Sequence, residues 1–202
     1  MLAGLGTRFF VTDTAIKTFS VGYPIQSPLD AFLALRKQYN LTPDNVRSIL
    51  VKIPTDAVGI VGESAMPDVN LPHIIALALI KGGVSFADSD NRSLVRDPAI
   101  MQQREKVHVQ GDQALMDPAA PRGGIVEVTM TSGQTVSHFT KYPPGTKENP
   151  IDTAAVAAKA RDLMVPVVGT DKTARLIDAI VNLEKLDDVR KLAPLLTAST
   201  PV

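Results

Sequence analysis

Ile125-Val-Glu-Val-Thr-Met-Thr131, then Ser132-Gly133, then Gln134-Thr-Val-Ser-His-Phe-Thr140 is the stretch on which the reading of the fold turns. Apolar and polar residues alternate on both sides of a Ser-Gly pair that suits a two-residue turn, so the segment reads as an antiparallel hairpin. Working outward from it, Val107 and Val109 begin another strand. Further upstream Ile49, Val51 and Ile53 alternate with Ser48, Leu50 and Lys52, giving a strand from Val46 to Ile53. Between these strands the period changes. Leu71-Pro-His-Ile-Ile-Ala-Leu-Ala-Leu-Ile80 is apolar on nearly every side; Ala76, Ala78, the early Pro72 and the Gly82-Gly83 stop make it a buried helix. Asp97-Pro98 is a cap followed by a proline that loses nothing at the first helical position, and it starts a short helix to about Arg104. Ser27-Pro28 carries the same signature ahead of Leu29, Phe32, Leu33 and Tyr39, which recur at helical spacing, and Thr42-Pro43 caps one further turn. Residues 55–69, with Gly59, Gly62 and Pro67, read as a loop.

Pro143-Pro144-Gly145 to Asn149-Pro150 breaks the composition, and everything beyond reads helical. Val156, Ala160 and Leu163 recur on one face, and Leu176, Ile177, Ile180 and Val181 on another. Leu183, Leu186, Val189 and Leu192 carry the pattern toward a frayed end at Pro194. The order of elements predicts an α+β fold: a two-layer sandwich with a mostly antiparallel sheet, plus C-terminal helices, rather than a doubly wound sheet. The expected division is an α+β domain over residues 1–145 and a helical tail over 146–202.

Composition narrows the function classes. Of 202 residues, 45% are hydrophobic, enough for a sizeable core. Lys+Arg and Asp+Glu both number 21, and the charges balance within each half, so neither is a basic or acidic arm. A nucleic-acid or anionic-membrane surface depends on excess Lys and Arg and is not expected. No apolar run approaches a spanning helix, and the opening Met1-Leu-Ala-Gly-Leu-Gly-Thr-Arg8 lacks the pattern of a signal peptide, so a soluble, cytoplasmic protein is expected. There is no Cys, which excludes disulfides, thiolate metal sites and cysteine nucleophiles. The three histidines, His73, His108 and His138, are too scattered in sequence to suggest a metal cluster. Phosphate-binding glycine loops, a Gly-x-Ser-x-Gly elbow and a His-Glu-x-x-His helix are all lacking. Asp88-Ser-Asp90-Asn91 resembles the start of a calcium loop without its glycine or closing glutamate, and reads as an ordinary acidic loop.

Three segments carry a resemblance. Lys17-Thr-Phe19, Gly22-Tyr-Pro-Ile-Gln26 and Leu29-Asp30-Ala31 resemble the segment that opens the second domain of the MmgE/PrpD family. That family includes 2-methylcitrate dehydratase, cis-aconitate decarboxylase and iminodisuccinate epimerase. Met66-Pro-Asp-Val-Asn-Leu-Pro-His73 with the following helix to Gly82 is similar to the buried helix of the same domain. Asp97-Pro98, the strand from Val107, the hairpin and Gly145-Thr-Lys-Glu-Asn-Pro150 follow in family order, so the resemblance runs over roughly residues 5–193. It implies a lid-like α+β domain over a carboxylate pocket. The family's large helical first domain, which bears the usual proton-abstracting lysine and histidine, is not represented in this sequence and is expected as a partner chain.

The resemblance also marks candidate residues. Lys17 matches a lysine facing the substrate pocket, where an ammonium suits a polycarboxylate; the plainer reading is a solvated surface lysine. His73 falls where an active-site tyrosine sits in the decarboxylase, and is the catalytic candidate; the plainer reading is a hydrogen-bonded histidine in the first turn of a buried helix. Gln26 stands where dehydratase-like members have histidine, so it can bind substrate but cannot exchange a proton near neutral pH. Ser20 and Gly22 also depart from the family pattern, which points away from both the dehydratase and the decarboxylase as the specific activity. Tyr23 is as consistent with core as with substrate binding, while His108, His138 and Asp30 read as structural or surface residues.

Two functions follow. One is the C-terminal domain or subunit of a lyase acting on a small di- or tricarboxylate, with no metal or organic cofactor and little turnover alone. The other is a non-catalytic remnant that self-associates through its C-terminal apolar stripe. Either way a homo- or hetero-oligomer is expected.

Overall fold

A row of valine and isoleucine side chains crosses one four-stranded sheet and organises the molecule. The strands are β1 (Val46–Pro54), β2 (Val107–Asp112), β3 (Gly124–Met130) and β4 (Thr135–Thr140), in the spatial order β2-β1-β3-β4. β1 runs parallel to β2 and antiparallel to β3, and β3 is antiparallel to β4. Register places Val107, Ile49, Val128 and Val136 side by side, all buried. The next inward row is Val109, Val51, Val126 and His138. Because side chains alternate across a strand, Leu50, Lys52, Glu127 and His108 point to the opposite face. There Lys52 Nζ meets Glu127 Oε1 at 2.6 Å.

This is a computed structural model, and it describes residues 4–7 and 9–197. Met1–Ala3 and Arg8, part of the opening stretch assessed above for a leader, lie outside the described residues. The chain divides into two compact units, Met1–Pro150 and Ile151–Val202. In the first, α1 (Gln26–Tyr39) and α3 (Leu71–Lys81) lie on the inward face of the sheet. Leu29, Phe32 and Leu35 of α1 join Leu71, Ile74, Ile75 and Leu79 of α3 and the inward strand residues in one core. Burying each such side chain is worth about 1.5–3 kcal/mol, which holds the helices to the sheet despite modest local propensity. α2 (Thr55–Val61) packs beside β2, and α4 (Phe86–Ser89) and α5 (Pro98–Arg104) complete the connection, α5 resting on α3. In the second unit α6 (Thr153–Val168) packs on α7 (Thr170–Val181), and 3-10 turns follow at Leu183–Lys185 and Val189–Leu195. The fold is α+β with a mostly antiparallel sheet, as the order of elements predicts.

Four local readings are corrected. The hairpin loop has three residues, Thr131, Ser132 and Gly133: Gly124 pairs with Thr140, and Met130 N donates to Gln134 O. Gly133 takes φ +91, the left-handed residue such a loop needs beside right-twisted strands. Ser27 is not an N-cap, because a 3-10 turn over Tyr23–Ile25 runs directly into α1 and leaves Ser27 inside the helix. The region read as a loop contains α2 and a 3-10 turn at Pro67–Val69; its glycines sit at the exposed Gly59 and just past the helix end at Gly62. Pro194 does not mark a frayed end, since it lies within the last 3-10 helix, where φ near −65° suits it. The cap of α5 and the stop of α3 match expectation: Asp97 accepts from helix N–H groups, and Gly82 follows α3 in the left-handed conformation; Asn70 adds an N-cap to α3 by accepting from His73 N.

Candidate functional site

The segment from Ile16 to Gln26 is anchored from several sides. Ile16 N donates to Gly145 O at 2.9 Å, and Thr18 Oγ1 to Pro144 O at 3.1 Å. Gln26, fully buried at the start of α1, accepts from Phe19 N at 3.1 Å. Its Nε2 donates to Phe19 O at 2.9 Å and Val21 O at 3.2 Å. Gly22 N closes the set on Asp68 O at 2.8 Å. The loop that receives Ile16 is itself braced. Gly145 N donates to Asn149 O, Thr146 Oγ1 to Pro143 O, and Asn149 Nδ2 to Tyr142 O. Gly145 has φ +89, and a Cβ there would stand 1.9 Å from Ile16 O, so only glycine permits the approach.

Lys17 projects from this segment. It is exposed, and its Nζ donates to Val21 O at 3.0 Å, the same carbonyl that Gln26 reaches. Tyr23 is 38% exposed. Lys17 and Gln26 thus converge on one carbonyl, yet both of Gln26's amide atoms are engaged with backbone. As placed, Gln26 fixes the backbone around Lys17.

His73 lies elsewhere. It occupies the first turn of α3, where its backbone N donates to Asn70 Oδ1 at 3.0 Å. Its imidazole is 1% exposed, and neither ring nitrogen has a hydrogen-bond partner. Burial, and then the positive charge of Arg104, hold its pKa below the ordinary 6.5, so it is neutral at pH 7. A recess of about 260 Å³ adjoins it, lined by Glu63, Ser64, Pro67, Asn70, Val95 and Arg104 among others. Lys17, Tyr23 and Gln26 do not line this recess. A larger groove of about 700 Å³ beside the edge strand β2 shares Glu63 and Ser64 and takes in Pro72 and His108. Sequence reasoning passes over Arg104 because a basic residue in the last turn of a helix is what the macrodipole favours. Among the described residues no group of three or more His, Cys, Asp or Glu side chains is placed to hold a metal ion. No helix among them is long and apolar enough to cross a membrane.

The fold and the site define a class: a one-sided α+β domain with an anchored, lysine-bearing segment and a helix-terminal recess. A family model of the MmgE/PrpD C-terminal domain matches residues 19–185, and the chain belongs to that family. Tyr23, Gln26 and His73 fall within the matched segment, and Lys17 lies just ahead of it. No curated protein matches the chain.

Proposed function

We propose that this domain forms one wall of a pocket for a small di- or tricarboxylate in a lyase of its family. The observation that carries the reading is the mounting of Lys17. An exposed ammonium projects from backbone tied to the Gly145 loop, to Gln26 and to Asp68. A purely solvated lysine needs no such support. Held in place, the ammonium neutralises one substrate carboxylate and orients the carbon next to it.

The reaction class is removal of a proton alpha to a carboxylate. A base takes that proton, and the electron pair left behind either expels the hydroxyl on the neighbouring carbon, which takes a proton from a general acid and leaves as water, or is reprotonated on the other face. In a decarboxylation, carbon dioxide leaves instead and a proton takes its place. The base is assigned to the family's helical domain, so the residues of this chain bind and orient. Gln26 acts as a positioning residue for the Lys17 segment, and Tyr23, partly exposed, stands at the same segment's end. No cofactor enters the scheme. The reading places the protein in the cytoplasm, working in an oligomer.

The test uses calorimetric titration of the full chain with citrate, and turnover with a helical-domain chain of the family added. Lys17→Ala is expected to weaken citrate binding about tenfold, the worth of one charge-assisted contact, with an unchanged circular dichroism spectrum. Turnover of such acids by the isolated chain, or citrate binding indifferent to Lys17→Ala, refutes the reading.

A second reading is self-association without catalysis. It is favoured by the exposed side chains of the second unit: Ile180 is 53% exposed, Val181 51%, Leu183 46% and Val167 56%. Sedimentation of the full chain as a stable homodimer, dissociated by Ile180→Asp, supports it.

A further inference from the structure

β2 ends the sheet on one side, and its only sheet neighbour among the described residues is the parallel strand β1. Ile49 N donates to Lys106 O at 2.8 Å, which sets the phase of that ladder. In a parallel pair alternate residues bond the neighbour, so His108 and Gln110 turn their N–H and C=O groups to β1. Val107, Val109 and Gly111 turn theirs outward, where no backbone group among the described residues answers them. Sheet edges are ordinarily blunted by a proline, a lysine or a bulge. β2 carries no proline or lysine, and the register shift in the sheet falls at Val46–Ser48, between β1 and β3. The groove of about 700 Å³ runs beside this open edge, where Val58, Ile60 and Pro72 line it together with Val107 and Val109.

We infer that β2 pairs antiparallel with β2 of a second copy of this chain, about a two-fold axis at Val109, so that two sheets become one. Antiparallel partners exchange both bonds only where outward groups face outward groups, so odd-numbered residues must face odd-numbered ones. An axis at Val109 sets Val109 against its own copy and Val107 against the second copy's Gly111, and every outward group finds a partner. Moving the axis one residue either way leaves Gly111 or Val107 facing a residue beyond the strand. The strand is also complementary to itself in shape. α2 crowds the Gly111 end, where a Cβ would meet Thr55 and Val58 at 3.2 Å, while the groove lies at the Val107 end. The two-fold brings the end that lacks a side chain into the groove of the other copy. On the outer face His108 lies opposite Gln110, both exposed and able to hydrogen-bond. Just beyond the ladder Lys106 lies opposite Asp112, so opposite charges meet. Lys106 Nζ already donates to Pro43 O and Val46 O, and Asp112 Oδ1 accepts from Ala114 N, so this pair adds orientation and not a new contact. The interface is separate from Lys17 and from the apolar side chains of the second unit.

Sedimentation velocity of the full chain over micromolar concentrations reads the dimer, and amide exchange reads the edge. The chain is expected to dimerise, with the N–H groups of Val109 and Gly111 exchanging more slowly as concentration rises. His108→Lys combined with Gln110→Lys sets lysine against lysine at exposed positions and is expected to weaken the dimer about tenfold or more. His108→Glu combined with Gln110→Glu is expected to do the same. Mixing the two double variants should restore dimerisation, because in this register each lysine then faces a glutamate. A chain that stays monomeric, a dimer indifferent to both double variants, or a mixture no tighter than its components overturns the inference. So does a dimer that Ile180→Asp dissociates while the Val109 and Gly111 amides exchange at a constant rate, which assigns assembly to the second unit. Should a double variant lose its circular dichroism spectrum, the concentration dependence of exchange in the parent chain decides the matter alone. The proposed function fails on different data, since citrate binding that ignores Lys17 leaves these results standing.

Discussion

Replacing Gln26 separates a residue that holds backbone from one that holds substrate. Gln26→Ala removes three hydrogen bonds, to Phe19 N, Phe19 O and Val21 O, from a side chain that is fully buried. At a net worth near 1 kcal/mol each, these amount to about 3 kcal/mol. The lost methylene adds about 0.8 kcal/mol. The expected destabilisation is therefore about 3–4 kcal/mol. For a unit of this size it lowers Tm by about 10 °C, at 2–4 °C per kcal/mol. Calorimetry measures the Tm, and amide exchange should accelerate first at Phe19 and Gly22, whose N–H groups hold the segment. Gln26→Glu gives a second, independent signature. A carboxylate oxygen in place of Nε2 faces two carbonyl oxygens and can donate only when protonated, which raises its pKa in the folded state. Its contribution is then present below the unfolded value of about 4.3 and lost as pH rises through the raised folded value, so the variant should recover on acidification. Destabilisation by Gln26→Ala of less than about 1 kcal/mol, with unchanged exchange at Phe19, refutes the bracing role. Loss of citrate affinity at full stability would return Gln26 to the substrate.

Other outcomes are equally open to measurement. Gly145→Ala forces φ +89 on a residue with a Cβ and drives that atom to 1.9 Å from Ile16 O; a loss of about 2–4 kcal/mol by chemical denaturation is expected, with the Ile16–Gly145 hydrogen bond gone. A result within 0.5 kcal/mol of the parent, on the order of an ordinary surface change, contradicts this. Because the folded pKa of His73 is depressed, stability is complete above the unfolded value of 6.5 and falls as pH drops toward the folded value. The slope is at most about 1.4 kcal/mol per pH unit, and His73→Leu should flatten it while costing little at pH 7, where it removes an unpartnered imidazole. A steeper slope in His73→Leu would be inconsistent with a buried neutral ring. Lys52→Met should change stability by less than about 1 kcal/mol, because its partner Glu127 is a third exposed and solvent screens the pair.

Much of the fold was readable from short-range pattern. The strand from Val46, the helix from Leu71 and the cap at Asp97 each announce themselves through period and chemistry within a few residues, and the structure contains all three. Reading failed where local signals conflicted with neighbours. Gly59 and Gly62 suggested a loop, but packing beside β2 makes α2 a helix. Ser27-Pro28 looked like a cap, but a preceding 3-10 turn already supplies the helix entry. The site was legible by residue type and not by arrangement. Lys17 and Gln26 were both visible in the sequence, yet nothing along the chain shows that they meet at Val21 O. Arg104 was invisible as a site residue, because its approach to His73 depends on α5 packing against α3.

The sequence by itself determined most element types, the α+β class and the exclusion of cysteine chemistry, because periodicity, capping and composition act within a few residues; the family came from a resemblance carried by several segments in order. The tertiary structure alone decided which groups face one another: the parallel pairing of β1 with β2, the tie from Ile16 to Gly145, and a recess joining Arg104 to His73 but not to Lys17. Those distances are set by how helices close over one face of a sheet, and burial of the whole core fixes that closure rather than any local stretch of chain.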